Sequence, residues 1–301
     1  MATIALSKPT KVKRGGKWSP WLFALPALIV YVGFLVYPAL SSVFFSLTNW
    51  DGLSATYKFV GLENYLKLPS DPVVVSAVRN NVIWTVVTIA VPTVIGLALA
   101  IALNGKVHGK PILRLVFYTP AVLPLVSIAS IWGWLYNPQY GAINSFLRLI
   151  GLDGLAQPWL GQDSTALWAV MVPAIWLRTG FPMLLYLAAL QGIPDELYEA
   201  ATVDGASRRQ QFWHITMPSL RPAHYIVLAL SLIDSFKVFD MIYAMTYGGP
   251  GTSTQVMGTW MYFNVFQYYQ AGYGTAIAVV ITLVAVAVGI PYVRSQTREA
   301  S

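Results

Sequence analysis

Six long apolar stretches alternate with polar or mixed segments along the 301-residue chain. The pattern predicts helices over about residues 20–47, 81–103, 112–136, 165–191, 223–247 and 271–292. Each is close to the roughly 20 residues that a helix needs to cross a bilayer. Pro92 falls inside the second stretch, where neighbouring helices can re-satisfy the freed carbonyl. Pro120 and Pro124 interrupt the third, and the fifth is the least apolar. Between them, residues 48–79 form a mixed loop, 104–111 a short basic turn, and 137–164 a loop rich in Gly and aromatic residues. Trp and Tyr clusters at 131–140 and 260–269 are expected to anchor at the membrane interface. The first stretch follows a basic tail carrying Lys8, Lys11, Lys13, Arg14 and Lys17. It is too long for the apolar part of a signal peptide and lacks a cleavage site, so it is expected to stay as the first span.

The longest polar interruption, residues 193–222, is patterned to fold. Asp195 is expected to cap a first short helix through Glu199, Ala200 and Ala201. Gly205 permits a sharp or left-handed turn that a β-carbon would resist. Ser207 and Gln210 have the spacing of a capping box, which starts a second helix. Pro218 and Pro222 are expected to stop that helix before the next span.

Composition agrees with the pattern: 56% of residues are hydrophobic and 10% charged, against about 25% charged in a soluble domain. The expected fold class is therefore an all-α integral membrane protein with six transmembrane helices. There is no Cys, which excludes disulfides, thiol nucleophiles and thiolate metal sites. The net charge of +7 is distributed unequally across the membrane. Thirteen Lys and Arg fall on the side holding both termini and residues 193–222, and four (Lys58, Lys67, Arg79, Arg148) on the other. The excess places both termini and residues 193–222 in the cytoplasm. Basic residues that orient spans this way are no sign of nucleic-acid binding. The organisation expected is a basic tail (1–19), a transmembrane domain (20–293) and a short cytoplasmic tail (294–301), with no soluble domain and no internal repeat.

Little in the chain could do covalent chemistry. No Gly-x-x-x-x-Gly-Lys-Ser/Thr motif is present, so the chain has no P-loop for ATP; His108, His214 and His224 are not spaced as a metal site. Instead, the fifth span carries Asp234, Lys237 and Asp240, three residues apart and so neighbours on a continuous helix. A charge at mid-bilayer costs about 2.5–3.5 kcal/mol on insertion scales, so these residues should face a cavity or a partner. They read either as a polar wall of a translocation path or as an ion network bracing the spans. Arg178, midway along the fourth span, could pair with Asp234 or Asp240 or simply brace a proline-distorted helix.

Glu199-Ala200-Ala201, Gly205, Ile215 and Met217-Pro218 together resemble the cytoplasmic coupling loop of binding-protein-dependent ABC importer permeases. Met217 stands where the family pattern has Leu, an apolar exchange of similar volume. Residues 25–28, 37–38, 61–65 and 239–250 extend the resemblance to the first of two permease subunits in maltose- and glycerol-phosphate-type carbohydrate importers. The resemblance implies an ABC importer permease fold in a prokaryotic plasma membrane. It implies pairing with a homologous second permease, two cytoplasmic ATPase subunits holding ATP and Mg, and an extracytoplasmic sugar-binding protein. It also implies that Glu199, Ala200, Ala201, Asp204, Gly205, Phe212, Ile215 and Pro218 couple to the ATPase, with a polar contact from Glu199. The chain itself would be no enzyme and would carry no cofactor. Rival readings are an ion-gradient-driven transporter half, which should show inverted repeats, an enzyme on lipid-linked substrates, and a non-transporting membrane scaffold.

Overall fold

The computed structural model describes residues 19–105 and 107–299. The expected basic tail up to Lys17, together with Lys106, lies outside the described residues. Helix α1 (Ser19–Tyr31) passes through a wide π-turn (Val32–Val36) into α2 (Tyr37–Phe45), one nearly continuous first span. None of its membrane-length window is buried, and α2 rests on the last helix of the chain.

The second half of the loop expected over 48–79 is helical. It holds α3 (Glu63–Lys67) and a 3₁₀ turn (Leu68–Ser70), and α4 (Pro72–Asn104) starts nine residues before the predicted position. The reason is local: the Asp71 carboxylate accepts from the Val73 and Val74 N–H groups, and Pro72 sits where its missing N–H costs nothing. At 33 residues, α4 is about 50 Å long.

The third span is broken rather than merely interrupted. Helix α5 (Lys110–Tyr118), a 3₁₀ turn (Thr119–Val122) and α6 (Leu125–Leu135) bend by 101° at the two prolines. A short helix α7 (Ala142–Leu149) lies in the following loop, and α8 (Ala166–Gln191) matches the predicted fourth span. The polar interruption folds as α9 (Asp195–Val203), α10 (Arg208–Gln211), a second π-turn (Phe212–Thr216) and α11 (Met217–Ser219).

Pro218 and Pro222 do not stop the helix, contrary to expectation. Each occupies a first-turn position, of α11 and of α12 (Arg221–Phe236), and the chain stays helical except for a turn at Leu220. The fifth span also departs from expectation. Helix α12 ends at Phe236, residues 237–239 are non-helical, and α13 (Asp240–Thr246) resumes. Asp234, Lys237 and Asp240 are therefore not neighbours on one continuous helix. In the Trp- and Tyr-rich segment at 260–269, α14 (Met257–Phe266) packs on α4 and on α15 (Ala271–Glu299), while Phe266, Tyr268 and Tyr269 stay exposed. The tail expected from residue 294 continues α15 to Glu299.

Four of these runs are long and apolar enough to cross a membrane, namely Leu22–Phe45, α4, α8 and Ala271–Tyr292; the bent α5–α6 pair makes a fifth. Helix α12 is shorter, at 16 residues, and reaches further only through α13. Three buried clusters show how the passes run. Trp84 of α4 meets Val170, Met171 and Ala174 of α8, with Val238 and Met241 from the fifth pass. Ala100 and Leu103 meet Leu187, Leu190, Leu220 and Val227 at the far end. Val74 and Ala77 meet Ile277 of α15. Hence α4, α8 and α15 run one way and α12 the other. Between the first two clusters, α4 touches α8 at Gly96, where a β-carbon would lie 2.8 Å from the Pro182 Cβ. Packing this close admits only glycine.

Candidate functional site

Helices α9 and α10 make one unit at the end of the molecule marked by Leu103, Leu190 and Leu220. Pro194 holds the N-cap position of α9, so Asp195, expected as the cap, is the first helical residue, where with Glu196 it complements the helix dipole. At the other end of α9, the Ala206 N–H reaches the Ala201 carbonyl at 2.8 Å and the Gly205 N–H reaches Thr202 at 3.1 Å. This double closure is a Schellman turn and needs a left-handed residue, which Gly205 supplies at φ +77°. Nothing lies within 4 Å of a β-carbon built there, so the constraint is conformational and not steric.

The predicted capping box closes, with the Gln210 N–H donating to Ser207 Oγ and the Ser207 N–H to Gln210 Oε1. Three further bonds clamp the two halves. Tyr198 and Thr216 share a hydroxyl–hydroxyl bond of 2.9 Å, and Gln211 Nε2 donates to Thr202 Oγ1 at 3.0 Å and to the Ala206 carbonyl at 3.3 Å. Glu199, Ala200, Asp204 and Pro218 are exposed, and Phe212 and Ile215 are half-buried within the unit. Sequence reasoning passed over Val203, which is 88% accessible; Trp213, expected with Phe212 and Ile215 to pack the unit against the ATPase or the spans, is 56% accessible. A valine two residues before the turn glycine, in an otherwise polar segment, was the available signal.

The second constellation lies where α8 passes the break in the fifth span. Arg178, Asp234, Lys237 and Asp240 line one cavity of about 670 Å³, together with Tyr118 and Phe181. The structure thus brings together all four charged residues singled out in the spans, but through the helix break instead of helical spacing. None of them forms an ion pair within 4 Å; among the described residues that geometry is met by Glu63 and Lys67. The Arg178 guanidinium lies 6.0 Å from the centroid of the Trp84 ring and within electrostatic reach of Asp234. A side recess of about 50 Å³ reaches Trp84, whose buried indole N–H finds no protein acceptor. Trp84 was not singled out from the sequence, where it is one of 11 tryptophans.

Residues 92–298 match the family described as "Binding-protein-dependent transport system inner membrane component". The chain belongs to this family and is a multi-pass membrane permease subunit of an ABC importer. It is 40% identical to the probable ABC transporter permease protein YurN of Bacillus subtilis, over 90% of this chain and 93% of that one. It is 35% identical to the multiple sugar-binding transport system permease protein MsmF of Streptococcus mutans (89% and 91% covered). The trehalose/maltose transport system permease protein MalF of Thermococcus litoralis is 34% identical (91% and 92% covered). The fold is that of a chain in the crystal structure of a bacterial ABC transporter involved in alginate import, with a TM-score of 0.80 at 23% identity over 93% of this chain and 96% of that one.

Proposed function

We propose that this chain forms half of the path through which a carbohydrate enters a prokaryotic cell, and that it transmits the force of ATP hydrolysis through residues 195–219. Carbohydrate is favoured by the named relatives, which serve sugars, trehalose and maltose. In this reading a homologous second permease completes the path, two ATPase subunits holding ATP and Mg bind the cytoplasmic face, and an extracytoplasmic binding protein delivers the sugar. In the same reading both termini and the α9–α10 unit face the cytoplasm, which the distribution of basic residues supports.

The single observation that carries the mechanism is the clamped pair α9–α10. Three side-chain hydrogen bonds and a Schellman turn make it a body that moves without bending. Val203 and Trp213 provide apolar surface for a groove on the ATPase, and Glu199 a polar contact at its edge. ATP-driven closure of the ATPases displaces this body, and the buried contacts of Leu220 with α4 and α8 carry the displacement into the spans. Arg178, Asp234, Lys237 and Asp240 form part of the polar wall past which the sugar moves.

The test is reconstitution of the assembled importer with Gly205→Pro. Proline cannot adopt φ +77°, so the turn must open. Insertion and assembly should persist while sugar uptake per ATP hydrolysed falls at least about tenfold, a loss of roughly 1.4 kcal/mol in coupling. Uptake at the wild-type ratio would reject the lever.

A further inference from the structure

At the end of α4 remote from the coupling unit, a basin of about 630 Å³ opens between residues 49–71 and 260–273. It shares no lining residue with the charged cavity. Its volume falls within the range of about 300–1,000 Å³ typical of small-molecule sites.

The walls are fixed and electrically quiet. Asp71 Oδ1 accepts two backbone N–H groups at the start of α4, and Oδ2 accepts the Trp260 indole N–H at 3.1 Å and the Tyr273 hydroxyl at 2.7 Å. The Lys67 ammonium is held by Glu63 at 2.8 Å. What the basin leaves free is neutral. Asn64, 6% exposed, spends both amide N–H groups on the backbone carbonyls of Ser46 and Thr48, and Asn264, 3% exposed, spends one on Trp260. Among the described residues their amide oxygens have no donor, yet neither is sealed off. Buried amides locked by their N–H side with accessible oxygens are acceptors aimed at a donor from outside.

Backbone strain marks the same place. Tyr269 lies at the rim with φ +52°, a left-handed conformation that is costly for an aromatic residue. Its ring is half-exposed, so burial does not repay that cost.

We infer that this basin is an outer binding subsite for a neutral polyhydroxyl ligand, a sugar held on the external side before it reaches the charged cavity. The inference rests on the carbohydrate reading above. Hydroxyl hydrogens supply what the two amide oxygens lack, and the Trp260 and Tyr269 rings offer apolar faces to a sugar ring. Among the described residues the wall carboxylate of Asp71 faces no cation, and the Lys67 ammonium is already paired with Glu63, which disfavours a phosphorylated or acidic ligand. Helix α14 links the basin to the path. Its Trp260 and Asn264 face the basin, while Tyr262 and Phe266 lead to Phe239 at the break in the fifth span through ring contacts of 5.4 and 5.0 Å.

The test uses the whole importer in proteoliposomes with its binding protein, and maltose, trehalose and raffinose as probes. Tyr269→Gly removes the ring and relieves the left-handed strain; Gln270→Ala removes a free amide at the rim. Each should raise the KM of uptake about three- to tenfold, the range one hydrogen bond or ring contact carries, with maximal rate retained. Tyr269→Gly should also melt at least as high as wild type, which a purely structural tyrosine would not allow. Wild-type uptake of any of the three with unchanged KM in both variants would overturn the subsite and spare the carbohydrate reading. A loss confined to affinity for the binding protein would make the basin a docking surface and overturn it too. No uptake of any probe by the wild-type importer would remove the carbohydrate reading and this inference together.

Discussion

Asp71 does the work of three residues. It caps α4, fixes Trp260 of α14 and fixes Tyr273 of α15. Asp71→Ala should therefore destabilise this end of the bundle by about 1–3 kcal/mol, read as faster hydrogen exchange at the start of α4 than at its middle. Asp71→Asn should recover much of the cap. Asp51 makes a separate, solvent-exposed turn with Ser54 and Leu53. Hydrogen bonds, first from the Ser54 hydroxyl and then from the two backbone N–H groups, hold its carboxyl down at about 2. A depressed carboxyl contributes stability above its unfolded value of 3.8 and loses it as pH falls toward 2. Acidifying the outside to pH 5 should leave this turn intact, and NMR titration of Asp51 should show no step between pH 7 and 4. At this scale the sequence was most legible where chemistry is local. Gly205 and the Ser207–Gln210 box stand as predicted, since both depend on residues within one turn. Asp195 was misjudged because Pro194 already holds the extended cap position.

Among the elements, the α9–α10 clamp gives the sharpest prediction. Tyr198→Phe deletes the bond to Thr216 and Gln211→Ala deletes two more. Each bond contributes about 1 kcal/mol to the rigidity of the unit. The double variant should hydrolyse ATP in response to the loaded binding protein yet transport less sugar per ATP, while Thr202→Ser, which keeps the acceptor, should behave as wild type. Proline was the least reliable guide to elements. Pro120 and Pro124 do break a span, whereas Pro92, Pro218 and Pro222 sit within or at the start of helices that continue. The residue alone does not distinguish these cases: Pro218 and Pro222 sit in a first turn, where the missing N–H costs nothing, while Pro92 lies inside α4 without breaking it. The fifth span carries no proline at its break, and Asp234, Lys237 and Asp240 were read as neighbours on one helix when they lie in or beside that break.

For the whole molecule, the charged cavity is the feature that sequence could name but not assemble. Arg178 is 56 positions from Asp234, and only the antiparallel passage of α8 and the fifth span brings them to one wall. Arg178→Gln should lower sugar uptake at least about tenfold at unchanged yield of assembled importer, because the desolvated cation loses both Trp84 and Asp234. Asp234 itself is exposed, so a double-mutant cycle should return a direct coupling below about 1 kcal/mol. The fold class and the run of the spans were legible because bilayer solvation writes them into hydropathy. The break in the fifth span, and which pass meets which, were not.

The π-turn at Phe212–Thr216 fixes more than the continuity of a helix. One residue too many for α-helical winding advances everything after it by about 100°, so α10 and α12 are geared at a set angular phase. Removing a single residue there would leave both helices formed, and every side chain of the unit facing a third of a turn away from its present bearing. The stretch joining lever to span is thus a place where length, more than identity, is the conserved quantity to look for in any redesign. Substitutions in it alter surface, but an insertion or deletion alters direction.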